Sequence, residues 1–399
     1  MSDDSINKRS SGNKPFREFS RSNVRKSSKT SLTEIRFNNL SRQIRANTRK
    51  QSQSLLKQYA EIREDERHIS QQSGKFLSLS DDSFKTAKTS NNPKQIIEID
   101  SKTQAVLDRK NYRLLEKLSQ GSFGEVYKGE FKIDHRLVAI KILDISKMSM
   151  KFKERYVARE LKALIECRHL NVVQIYDIIR SNNRLYIFME YCSNGTLTMF
   201  IKKFGACSES LARIWFRQLV DALLYIHTEL KMAHRDIKFD NVLLDEKFNV
   251  KLTDFGFAKE LAWNDNKQQL ELTATICGTE PFMCPQLVQR RPYNPMKADV
   301  WAMGVLLFGL LNGRFPFNWA DPSLMLKEQT NYPKFIRSVS KNTISEEAND
   351  LIAKILDPDE QTRITVLEIS KHLWLKSISN DDSRTLKTLI SKMNPITKS

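Results

Sequence analysis

Apolar positions are sparse over the first hundred or so residues, then adopt two successive rhythms. From Tyr112 onward, short alternating or continuous apolar runs stand between turn-forming residues: "VYKGEF", "LVAIKIL", "VVQIYDII" and "RLYIFMEY". Their length and β-branched content predict strands. One stretch of helical spacing, "FKERYVARELKALIEC", interrupts them. After residue 195 the period is mostly helical, in "SLARIWFRQLVDALLYIHTEL", "DVWAMGVLLFGLLNG", "EEANDLIAKIL" and "TVLEISKHLWL". The pattern predicts an α+β chain in which a small strand-rich lobe precedes a larger helical one. No internal repeat is visible, and the residues after Trp374 read as a polar tail.

Residues 1–105 read differently. They are rich in Ser, Asn, Gln, Lys and Arg, too polar to offset the entropy of ordering, and a mostly disordered N-terminal extension is expected. Within it, Leu55, Leu56, Tyr59 and Ile62 recur at helical spacing in "SLLKQYAEIREDER" and predict one short helix. The chain of 399 residues carries a net charge of +18. The first sixty residues hold 14 Lys and Arg against 4 Asp and Glu. Such an arm favours an acidic polymer or acidic protein surface through salt-sensitive attraction. A solvated tail without a dedicated ligand is the plainer alternative.

The five cysteines are scattered and lack zinc spacing, so reduced thiols in a cytoplasmic or nuclear protein are expected. "MSDDSINKRS" has no apolar leader core, and Ser2 stands where N-myristoylation requires glycine. No run of eighteen apolar residues exists, so no integral membrane association is expected.

Candidate chemistry begins at "LSQGSFGEVYKG", Leu118–Gly129. A strand pattern follows this glycine-containing turn. A dinucleotide-binding loop would be followed by a helix, so a strand–loop–strand flap is predicted instead. There Gly121 and Gly124 let backbone N–H groups approach phosphates. Lys141, in "VAIK", lies seventeen residues beyond Gly124 on the next strand. An ion pair with Glu160 would hold it. The strongest signal is "HRDIKFDN", His234–Asn241, followed by "DFG", Asp254–Gly256. Asp236 can accept a hydroxyl proton, and Lys238 can stabilise a transferring phosphoryl group. Asn241 and Asp254 offer hard oxygen ligands suited to Mg²⁺.

In this order and spacing, these motifs resemble the eukaryotic protein kinases from about Tyr112 to Trp374, leaving 1–105 as an extension and 375–399 as a tail. The resemblance implies a bilobal kinase fold, ATP and Mg²⁺ as cofactors, and protein substrates with Ser or Thr acceptors. It also implies a monomeric kinase domain. The flap residues Leu118, Ser119, Gln120, Gly121, Ser122, Phe123, Gly124, Glu125 and Val126 would cover the nucleotide. Leu118, Val126, Ala139 and Leu243 would sandwich the base, Met189 would be the gatekeeper, and the backbone of Glu190 and Cys192 the hinge. Lys238 and Thr279 resemble the serine/threonine type. "FNVKLTDFGFAK" and "PYNPMKADVWAMGVLLFGLLNGRFPF" are similar to the testis-specific serine/threonine kinases, near the calmodulin-dependent group, which implies a role in spermatid differentiation. Thr275 occupies the family's phosphosite, where a phosphate would pair with Arg235 and Lys259. Thr273 is its competitor.

Three positions depart from the family. Ser119 replaces the first flap glycine. Gln286 replaces a glutamate that pairs with an arginine, here Arg363, so a looser substrate loop is expected. Thr196 replaces an acidic residue of kinases that prefer basic substrates, although Asp240 remains. A catalytically silent scaffold is the competing reading, against which stand Lys141, Asp236, Asn241 and Asp254, all present.

Overall fold

The structure is a computed structural model that describes residues 99–121, 124–147, 167–261, 263–264, 269–332, 344–376 and 388. The basic arm, the helix expected around Leu55–Ile62, all but Cys167 of "FKERYVARELKALIEC", and most of the C-terminal tail lie outside the described residues.

The strand-rich lobe opens with a helix that the sequence reading did not anticipate, α1 (Ser101–Arg109). Asp100 caps it, accepting from the Thr103 N–H at 3.1 Å. Five strands follow: β1 (Tyr112–Gln120), β2 (Gly124–Phe131), β3 (Arg136–Asp144), β4 (Ile175–Ser181) and β5 (Arg184–Glu190). They form one antiparallel sheet in the order β1-β2-β3-β5-β4.

Alternation divides the sheet into two apolar faces. Ala139 and Leu143 face the main core, with Ile187 and Met189 of β5 beside them. Val138, Ile140, Tyr186 and Phe188 face the other way and meet Val106 and Leu107 of α1. Leu107 is fully buried. The Thr103 and Tyr186 hydroxyls lie 3.1 Å apart. Asp100 pairs with Arg184, and Lys110 with Asp177 at 3.1 Å.

The larger lobe is helical: α2 (Leu197–Phe204), α3 (Glu209–Thr228), α4 (Pro285–Val288), α5 (Pro295–Asn312), α6 (Pro322–Thr330), α7 (Glu346–Ile355), α8 (Val366–Ser370) and α9 (Leu373–Lys376). Helix α5 is buried along nearly its whole circumference, as expected for an element apolar on all sides. Asn294 caps it ahead of Pro295, and Gly313 ends it in the left-handed region.

Its N-terminus lies four residues before the expected "DVWAMG" start. "TVLEISKHLWL", expected as one helix, is two. The His372 ring caps the second by accepting from Trp374 N–H at 3.3 Å, and its Nε2 meets Asp350 at 2.9 Å. The break lets the buried Trp374 indole donate to Glu209 at 2.7 Å.

Between the lobes' main elements lie short strands that carry the chemistry. β6 (Met232–Ala233) pairs with β9 (Lys259–Glu260), and β7 (Val242–Leu244) with β8 (Val250–Leu252). The β7–β8 pair is the hairpin expected of "VLLDEKFNVKLT". Among the described residues no helix is long and apolar enough to cross a membrane. All five cysteines are free thiols.

Candidate active site

The catalytic loop between β6 and β7 brings the expected residues together. Asn241 Nδ2 donates to Asp236 Oδ2 at 2.9 Å and to the Asp236 carbonyl at 2.8 Å. Thr279 Oγ1 donates to Asp236 Oδ1 at 2.8 Å. Lys238 Nζ bridges Asp236 Oδ2 at 2.9 Å and Thr279 Oγ1 at 3.0 Å. Both Asp236 oxygens are therefore held in place, which fixes the carboxylate's direction. Because Nδ2 of Asn241 is committed to Asp236, the amide oxygen is the end that a cation would meet.

Asp254 follows β8, and Lys141 Nζ reaches its Oδ1 at 3.3 Å. Burial opposes ionisation of Asp254, but the nearby Lys141 charge, the Lys141 hydrogen bond and the Gly256 N–H hold it below the ordinary carboxylate range. Glu160, the expected partner of Lys141, lies outside the described residues, as do Ser122 and Phe123. Among the described residues no group of three His, Cys, Asp or Glu could cage a metal. Two oxygen ligands instead suit Mg²⁺, which keeps waters and takes phosphate oxygens.

The flap is the β1–β2 hairpin, with Ser119 opposite Val126 and Gln120 opposite Glu125. A register shift falls between Lys117 and Ser119, at Leu118. Lys117 Nζ ties the hairpin together, contacting Gln120 Oε1 at 2.9 Å and Glu125 Oε1 at 2.6 Å.

The two glycines differ in what they do. A Cβ on Gly124 would stand 2.2 Å from the Ile142 carbonyl, so this glycine serves the close approach of β2 to β3. A Cβ on Gly121 would meet, among the described residues, only the Gly124 carbonyl, at 3.8 Å. The Gly121 N–H itself donates to that carbonyl at 2.8 Å and closes the turn. The Gly121 N–H is thus committed to the turn, and what this glycine adds is the lack of a Cβ at the tip of the flap.

Of the residues expected around the base, Ala139, Met189 and Cys192 are buried in the main core, and Val126 and Leu243 pack against it. Leu118 stays exposed. The Glu190 side chain is structural, pairing with Lys251 at 2.7 Å. Burial pushes the Cys192 thiol up to about 12, so it is an apolar group and not a nucleophile.

Thr275 is exposed, and the buried Tyr293 hydroxyl donates to its carbonyl at 2.9 Å. Arg235 donates from Nε to the Phe257 carbonyl at 2.7 Å. Its Nη1 is buried with no hydrogen-bond partner.

One residue was missed by the sequence reading. Asp299, buried in the first turns of α5, accepts from His234 N–H and Arg235 N–H, each at 2.7 Å, and from His227 Nε2 at 2.9 Å. Arg235 and Asp254 both sit at positive φ, 66° and 63°. Asp299 holds the first of these strained residues by its main chain. His234 then links the loop to β8: Nδ1 accepts from Asp236 N–H at 3.2 Å, and Nε2 donates to the Thr253 carbonyl at 3.0 Å. Those two bonds require the neutral tautomer with its proton on Nε2. The signal for Asp299 was a lone carboxylate inside a long apolar run.

The protein kinase domain family model matches residues 112–375. Testis-specific serine/threonine-protein kinase 2 of Mus musculus is 38% identical over 280 residues, which are 68% of this chain and 75% of that protein. Testis-specific serine/threonine-protein kinase 4 of Homo sapiens is 33% identical, over 68% of this chain and 84% of its own length. CBL-interacting protein kinase 26 of Oryza sativa subsp. japonica is 33% identical over 71% of this chain and 55% of its own. With Asp236, Lys238, Asn241 and Asp254 assembled as above, this chain belongs to the protein kinase family, as a serine/threonine protein kinase.

Proposed function

We propose that this kinase uses Mg²⁺ and ATP to phosphorylate Ser and Thr hydroxyls of proteins in differentiating spermatids, with Asp236 receiving the acceptor's proton. The observation that carries the reading is the Asp236 carboxylate clamped by Thr279, Lys238 and Asn241. ATP and its metal supply the transferable phosphoryl group and the neutralising charge.

The chain's own residues position and polarise. Gly121 puts no Cβ at the tip of the flap, Lys141 and Asp254 face each other across the cleft, and Asn241 and Asp254 offer oxygen ligands. Asp236 orients the hydroxyl, and Lys238 lies beside it to offset developing negative charge. The testis role is supported by the names of the relatives and by the quoted motifs, and cytoplasmic or nuclear placement by the free thiols.

Control by a phosphate on Thr275 is supported by its exposure and by the unpartnered Arg235 Nη1, a buried donor suited to an anion. The basic arm would hold acidic polymers or proteins through its charge. The deciding experiment is phosphorylation of myelin basic protein with Mg-ATP, run beside Asp254→Asn. Equal activity of the two would refute the reading. Thr275→Ala with full activity, in a protein carrying no phosphate there, would remove the regulatory part. Absence of salt-sensitive binding to tubulin or nucleic acid by the full chain would remove the arm's role.

A further inference from the structure

We propose that Phe239 is a positioning residue whose ring sets the height of the acceptor-binding loop against Asp236. The inference rests on the kinase reading and extends it to how the protein acceptor is held.

Phe239 lies between Lys238 and Asp240 in the short turn Phe239–Asn241 and is 8% exposed. Its ring stands 5.6 Å from Phe282, edge-on at 70°, and 6.1 Å from Phe315. Phe282 and Phe315 are themselves edge-on, at 5.4 Å and 87°. Phe282 belongs to the loop that carries Thr279, and with Asp236 and Met283 it lines the cavity beneath that loop. Phe315 follows α5. The three rings thus join the catalytic loop, the acceptor loop and the end of α5.

Gly309 of α5 completes the arrangement. A Cβ there would stand 2.5 Å from Phe239 Cζ and 3.0 Å from Cε2. Gly309 lies inside a buried helix and is not among the glycines with positive φ, so the backbone does not demand glycine. Helix propensity alone favours alanine. The Phe239 ring supplies the reason for its absence.

The consequence is geometric. The Thr279–Asp236 and Lys238–Thr279 bonds fix the spacing of the two loops on the side of the acceptor hydroxyl. The rings fix it from beneath. Lifting or dropping the acceptor loop moves the hydroxyl relative to Asp236 and leaves the nucleotide residues Lys141 and Asp254 in place. Because that loop seats the bound acceptor, a changed height also weakens the acceptor's seat, which appears in the acceptor KM.

The test is steady-state kinetics on the full chain, with KM for myelin basic protein and KM for ATP measured separately, in Gly309→Ala, Phe239→Leu and the double variant. Gly309→Ala should raise the acceptor KM about tenfold, as the loss of about one binding contact would, and leave the ATP KM within about twofold. The double variant, in which leucine makes room for the added methyl group, should return the acceptor KM to within about threefold of wild type. A residue that only packs would change melting temperature or active fraction without splitting the two KM values. Equal changes in both, no change in either, or a double variant no better than Gly309→Ala would overturn the proposal. If Gly309→Ala does not fold, Phe239→Leu is decisive, and an unchanged acceptor KM overturns it. An inactive wild type would instead refute the ATP-dependent reading, so the two failures are distinct.

Discussion

Gln286 offers a quantitative test of how the acceptor loop is anchored. Arg363 is 1% exposed, so its charge needs compensation inside the lobe. It donates to three main-chain carbonyls: Asp357 from Nε at 2.8 Å, Lys297 from Nη1 at 2.9 Å, and Pro358 from Nη2 at 3.3 Å. Its guanidinium lies 5.0 Å from the Trp301 ring centroid. Gln286 adds an acceptor, Oε1, to Nη2 at 3.2 Å, and its Nε2 donates to the Pro358 carbonyl at 2.8 Å.

Gln286→Ala removes one bond from a charged donor and one neutral bond, about 1.5–3 and 1 kcal/mol at face value. The first is long, and Nη2 keeps Pro358, so a loss of about 2 kcal/mol is expected. For a domain of this size that lowers the melting midpoint by about 4–8 °C. Arg363→Met removes all four of these guanidinium hydrogen bonds and should cost about 4 kcal/mol or more. Gln286→Glu gains charge attraction but sets an oxygen against the Pro358 carbonyl, and should stay within about 1 kcal/mol of wild type. Urea unfolding of the three variants measures this. A loss above about 5 kcal/mol for Gln286→Ala, or a gain above about 3 for Gln286→Glu, would mean that the carbonyls do not compensate Arg363.

The remaining predictions concern the site and α1. Asp254→Asn should abolish turnover and weaken Mg-ATP binding, whereas Asp236→Asn should keep nucleotide affinity and lose transfer; calorimetry beside the kinase assay separates them. Lys141→Met should retain some nucleotide binding with little turnover in the same pair of measurements. Leu107→Ala, at a fully buried position of α1, should destabilise the strand-rich lobe by about 2–4 kcal/mol in thermal melting. The Arg184 hydrogen bond holds Asp100 at about 2, against 3.8 for the free side chain. Its folded value is depressed, so the stabilisation is present above about pH 4 and fades as pH falls toward 2. Because the pair is partly exposed, the loss should be under about 1 kcal/mol, and Arg184→Ala should weaken this acid dependence in pH-dependent unfolding, leaving the part due to the Thr103 hydrogen bonds.

Legibility in the sequence followed the range over which each residue acts. Asp236, Lys238, Asn241 and Asp254 were readable because their spacing is local and their chemistry demands those side chains. Asp299 was not, because it works through the main-chain N–H groups of His234 and Arg235, sixty-odd residues away in the chain. Nothing in "ADVWAMG" announces which backbone the carboxylate will meet. Gly309 was opaque for the same reason: its role exists only once the ring of Phe239 lies against α5.

Helix α1 was missed for a different reason, and here the sequence held more than was taken from it. Nine residues with two large apolar side chains give a weak helical signal of their own. The stronger signal lay in the strands. "LVAIKIL" and "RLYIFMEY" are apolar at nearly consecutive positions, not at alternate ones, and a strand apolar on both faces must be covered on both. The helical lobe and the catalytic elements account for the face bearing Ala139, Leu143, Ile187 and Met189. Val138, Ile140 and Phe188 needed a second cover, and Val106 and Leu107 immediately before β1 supply it. The capped turn at Asp100 and the ion pair with Arg184 then fix where the cover begins. The folded unit of this kinase therefore begins at or before Asp100, ahead of the residues matched by the family model, and the helix that completes it is specified jointly by its own two apolar positions and by the strands it shields.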